Sequence, residues 1–116
     1  MIRIAMMALL ALVLSACAEP PPYTNVDNAG LKALIEQGVP VVDIRRPEEW
    51  RQTGVVKGSH KITFVDGAGR LDPNFYRRLG GVASPDKPVA VICRTGNRTD
   101  VLSRHLMTKM GYTTVY

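Results

Sequence analysis

The segment Val89-Ala90-Val91-Ile92 runs without interruption into Cys93. Four apolar residues in a row leave no face for water, so this segment reads as a strand covered on both sides. Strands of that kind sit in parallel sheets, whose crossover connections lay helices over both faces. In 116 residues there is room for one such unit, a small α/β domain with a mostly parallel sheet flanked by helices, and therefore for one principal site.

The rest of the chain fits that frame. Asp27 or Asn28 caps a short helix with Leu31, Leu34 and Ile35 at helical spacing and Gly38 at its end. Val39-Pro40-Val41-Val42-Asp43-Ile44 is a second doubly covered strand, and Pro47 opens a helical turn over residues 48–52 with Trp50 as a buried anchor. A short strand is expected at 61–64 and a turn at Asp66-Gly67-Ala68-Gly69. Asp72-Pro73 is read as the start of a helix through Leu79, closed by Gly80-Gly81. The pattern predicts a helix over 99–110 with Leu102, Leu106 and Met110 stacked on one face, then a last strand at 113–115.

The chemistry concentrates in Cys93-Arg94-Thr95-Gly96-Asn97-Arg98. A strand ending in Cys, a turn with Gly and a helix start place the thiol where backbone amides converge and the helix dipole is positive, a setting that favours thiolate. Arg94 and Arg98 would add to that preference and hold an anion, and Gly96 permits the tight turn. The plainer alternatives are a buried Cys acting as a small hydrophobe and two arginines that are merely solvated.

These residues resemble the rhodanese family over residues 25–116. Two motifs carry the likeness: Asp43-Ile44-Arg45 followed by Glu49-Trp50 and Gly54, and the loop from Cys93 to Arg98. The resemblance implies a sulfurtransferase without a cofactor. Cys93 would take a sulfane sulfur from a small anionic donor such as thiosulfate and pass it from a persulfide to cyanide or a thiol. Arg94, Arg98 and the amides of Thr95, Gly96, Asn97 and Arg98 would bind the anion, while Asp43 and Arg45 would be structural and Glu49 would pair with Arg45. Phosphatases that share the fold carry Arg at the sixth position after Cys; here Thr99 stands there, which favours sulfur over phosphate chemistry. Gly54-Val55-Val56 and Ser59-His60 depart from the usual family pattern and suggest a subfamily. The family usually continues into a further helix, so a missing last helix is expected, with one sheet face less covered. The rival function is a non-catalytic sulfur-binding or redox-sensing module using the same thiol.

The start of the chain reads as an address. Arg3 precedes an apolar run over 4–14 that is too short for a permanent membrane span, and Leu14-Ser15-Ala16-Cys17 resembles a bacterial lipobox. Residues 1–17 are thus expected to be a signal peptide, with Cys17 lipidated and the protein held in the periplasm at the outer membrane. Cleavage after Ala18, releasing a soluble periplasmic form, is the competing reading. Residues 18–24, with Pro20, Pro21 and Pro22, form a stiff spacer. Either route removes Cys17 from disulfide chemistry and leaves Cys93 unpaired.

A formal charge of +5 is spread without a basic run, which argues against nucleic acid and is ordinary for a small domain. His60 and His105 are far apart and lack metal-ligand spacing, so no metal is expected. Trp50 and Tyr76 are read as core residues.

Overall fold

The computed structural model describes residues 20–116; the expected signal peptide and the expected lipidation site Cys17 lie outside the described residues. Among the described residues four helices and three strands alternate in chain order: α1 (Asn28–Glu36), β1 (Val41–Asp43), α2 (Pro47–Thr53), β2 (His60–Lys61), α3 (Phe75–Gly80), β3 (Ala90–Ile92) and α4 (Asn97–Lys109). The sheet is parallel, in the order β2-β1-β3, with Val42 opposite both His60 and Val91. The α/β class read from the doubly apolar strands is therefore the observed one.

The two faces of the sheet follow the alternation of side chains along its strands. Val42, Ile44 and Val89 point into the larger core, with Phe75 and Leu79 of α3 and Leu102 and Leu106 of α4. Val41 and Ala90 point the other way, against Leu34 of α1, with Leu31, Ile92 and Tyr116 packed around them. α4 shows why its sequence is a helix: Leu102 and Leu106, one turn apart, are fully buried, whereas Val101 faces water. α1 is capped as expected, the Asp27 carboxylate accepting the Gly30 N–H at 2.8 Å.

Several boundaries differ from the sequence reading. β2 is only His60–Lys61, although Ile62 and Phe64 continue its pairing by donating to the carbonyls of Asp43 and Ile44. The expected strand at 113–115 contracts to a single parallel bridge between Val89 and Val115. The helix assigned to start at Asp72-Pro73 begins at Phe75, because the Asp72 side chain turns back to accept the Asn74 N–H at 2.8 Å while its carbonyl takes Phe75 N–H. Trp50 is only partly buried, yet its indole Nε1 lies inside without an acceptor among the described residues. The expected spacer ends early as well: Thr24 donates to the Val115 carbonyl at 3.1 Å, and the Tyr23 hydroxyl bonds to Asp100 of α4.

Candidate active site

Parallel strands deliver their following loops to one edge of a sheet, and in this chain that edge collects the site. β3 ends at Ile92, and Cys93 is the first residue beyond it. Gly96 takes φ +86°, a left-handed conformation that side-chain-bearing residues seldom adopt, and thereby turns the chain back into α4. A Cβ there would touch nothing within 4 Å, so the need for glycine is one of backbone conformation and not of space. The turn points the Gly96 N–H at Cys93 Sγ, 3.1 Å away. The Thr99 hydroxyl lies 3.5 Å from the same sulfur and 3.2 Å from the Gly96 carbonyl.

Half-burial pushes the Cys93 thiol towards a higher pKa, but the Thr99 hydroxyl and the N–H groups of Thr99, Gly96 and Thr95 outweigh it and hold the thiol below its ordinary value. Thr95 and Asn97 are exposed. The N–H groups of Asn97 and Arg98, in the first turn of α4, have no acceptor among the described residues and remain able to take an anion.

The arginines divide into three roles. Arg98 donates from both terminal nitrogens to Glu49, at 2.7 Å each, in a two-point ion pair that is largely buried. The Arg98 guanidinium against Glu49 holds that carboxylate down to about 2, despite a burial that works in the other direction. Glu49 also accepts the backbone N–H of Arg46 at 2.9 Å, which ties it to the start of α2. Arg45 instead clamps Asp43, with its Nε and Nη2 at 2.9 and 2.8 Å from the carboxylate, and reaches Thr53 Oγ1 at 2.6 Å and the Gly54 carbonyl at 2.8 Å. Burial of Asp43 raises its pKa, but the hydrogen bonds from the Arg45 side chain and backbone N–H outweigh it and leave the carboxyl below its usual value. The expected Glu49–Arg45 pair is thus corrected to Glu49–Arg98 and Asp43–Arg45: Asp43 lies two residues from Arg45 on the same strand end, while Glu49 faces the start of α4. Arg94 is exposed, has no carboxylate within 4 Å among the described residues, and borders an open groove with Cys93, Gly54, Val55 and Val56.

On its other side Cys93 borders a cavity of about 230 Å³ lined by Tyr23, Asn25, Leu31, Ser103 and Tyr116 among others. The sequence reading missed Tyr23 and Ser103. Ser103 stands four residues after Thr99, one helical turn behind it, which was a usable signal; Tyr23 sat inside a stretch read as spacer and gave none. Among the described residues no three or more His, Cys, Asp or Glu side chains are grouped to hold a metal ion, and no helix is long and apolar enough to cross a membrane.

Comparison with known proteins agrees with this arrangement. The family model described as rhodanese-like domain matches residues 27–116. The chain is 37% identical over 80 residues, 65% of its length and 70% of the relative's, to the Rhodanese domain-containing protein CG4456 of Drosophila melanogaster. It is 27% identical over 94 residues to the Thiosulfate sulfurtransferase GlpE of Pseudomonas fluorescens, covering 81% of this chain and 76% of that protein. With nearly all of the described residues inside the match and a strand-to-Cys-to-helix site at the sheet edge, the chain belongs to the rhodanese-like domain family.

Proposed function

We propose that this protein is a sulfurtransferase working through a persulfide on Cys93. The observation that carries the reading is the convergence on Cys93 Sγ of the Gly96 N–H, the Thr99 hydroxyl and the positive end of α4, which together favour thiolate at the mouth of an open groove. The thiolate attacks the outer sulfur of a thiosulfate-like donor. A new S–S bond forms to Cys93, the donor's S–S bond breaks, and its electron pair leaves with sulfite. Cyanide or a thiol then attacks the outer sulfur of the persulfide and returns Cys93 as thiolate. Sulfite is a stable leaving group, so no general acid is required. Arg94 meets the incoming anion, and the free amides of Asn97 and Arg98 stabilise charge on it. The name of the Pseudomonas fluorescens relative supports thiosulfate as a donor. Export, with Cys17 as a lipid anchor, belongs to the same proposal and rests on the sequence pattern of residues 1–17.

Intact-mass spectrometry of the full chain, before and after thiosulfate and again after cyanide, tests it. A gain of one sulfur atom, located on the Cys93 peptide, removed by cyanide and repeated over many turnovers, supports catalysis. A sulfur gained once without turnover favours a sulfur-binding module, and no gain on a folded protein sinks both.

A further inference from the structure

The start of α4 has an unusual support. Its N-cap is Gly96, which has no side chain with which to hold the first turn, and no side-chain cap bond is made there. Yet this turn must be well placed, because the groups converging on Cys93 Sγ come from it and from the residues just before it. What does fix it laterally is Arg98, the second residue of the helix, locked to Glu49 by two bonds of 2.7 Å. Glu49 is itself immobilised, buried on α2 and bonded to the Arg46 N–H. The connection spans 49 residues of chain and joins two elements that share no strand.

We propose that Glu49 is a positioning residue for the reactive thiol, holding through Arg98 the turn whose N–H groups and hydroxyl converge on Cys93 Sγ. It touches neither the sulfur nor, on the present reading, the donor. The inference rests on Cys93 being the reacting atom, but its test reads thiol acidity and needs no sulfur transfer, so the two readings fail separately.

The experiment is the pH dependence of Cys93 alkylation by iodoacetamide in the full chain, followed on the Cys93 peptide by mass spectrometry, for wild type, Glu49→Gln and Arg98→Lys. Positioning and simple charge balance predict opposite signs. If Glu49 positions the turn, Glu49→Gln lets the donors drift from the sulfur, the thiol pKa rises, and alkylation at neutral pH falls about fivefold to tenfold. If Glu49 merely offsets charge, its removal leaves the Arg98 cation unopposed, the thiol pKa drops and the thiolate fraction grows. Arg98→Lys keeps the charge and loses the two-point geometry. A fall matching that of Glu49→Gln is expected; a wild-type profile in Arg98→Lys, or an unchanged or lowered pKa in Glu49→Gln, overturns the proposal. Should Glu49→Gln fail to fold, Arg98→Lys decides alone, since Arg98 is less buried and its replacement retains a cation.

Discussion

Thr99 Oγ1 stands between Cys93 Sγ, at 3.5 Å, and the Gly96 carbonyl, at 3.2 Å, so one hydroxyl proton can serve either the sulfur or the turn that aims it. When the sulfur is thiolate it is the stronger acceptor, and the proton is expected to swing to it.

Thr99→Val keeps the shape of the side chain and removes that donor. Its thiol pKa is expected to rise and its alkylation rate at neutral pH to fall about threefold to tenfold, the worth of one modest hydrogen bond to a charged atom. Thr99→Ser should stay near wild type. Equal rates in the Val variant and the wild type would remove the hydroxyl from the account.

On the proposed sulfur transfer, Arg94→Ala should raise KM for thiosulfate about threefold to fivefold and leave kcat within about twofold, because an exposed cation contributes mainly to capture of the anion. The wild-type KM should rise with added salt while that of the variant responds less. Steady-state assays at two ionic strengths check both.

Asp43→Asn leaves the Arg45 guanidinium in a largely buried place without its counter-charge. The expected loss of stability is about 3 kcal/mol or more by urea titration, as for other broken buried pairs. Arg70, whose ion pair with Asp66 is exposed, serves as the control: Arg70→Ala should have little effect.

The Glu49 carboxylate is held at about 2, well below its ordinary 4.5. A depressed folded-state pKa contributes stability that is fully present above pH 4.5 and is lost as the pH falls towards 2. Glu49→Gln should therefore be clearly less stable than wild type at pH 6, with the gap closing as the pH is lowered to 3. Thermal melts across that range provide the measurement; a gap independent of pH would show that the ion pair is not its source.

Gly96→Ala places a Cβ in open space but in a left-handed conformation, at a cost of about 1–2 kcal/mol. Relief of that strain would rotate the N–H away from Sγ, so thiol reactivity is expected to fall together with the melting temperature.

The strand-to-Cys-to-helix passage was legible because it is local: an apolar run, a glycine turn and two leucines one helical turn apart lie within 18 residues of chain, 89–106. The α/β class followed from the same kind of signal. The partners of the arginines were not legible in this way. Arg45, Arg46 and Arg98 are all available to Glu49 in sequence, and only the folded chain shows that Arg98 takes both carboxylate oxygens at 2.7 Å while the Arg46 side chain stays 3.9 Å away. The late start of α3 was hidden because Asp72 can cap a helix or close a turn with the same side-chain oxygen, and the structure takes the second option. Tyr23 was lost among prolines that announce extended chain, whereas its ring and hydroxyl reach α4.

The order of strands in the sheet also bears on how the protein comes to be made. The central strand β1 finds β2 nearby but waits for β3, whose Val91 follows its partner Val42 by 49 residues. Closing so long a loop costs entropy before any pairing repays it, so the β1–β3 pairing is expected to form after the β1–β2 pairing. Until β3 arrives, Cys93 travels as an ordinary unshielded thiol on a nascent chain. In an oxidising setting the yield of active protein would then depend on how quickly that strand docks, and any substitution that slows its docking would show itself as mixed disulfides or oxidised sulfur before it showed itself as a weaker fold.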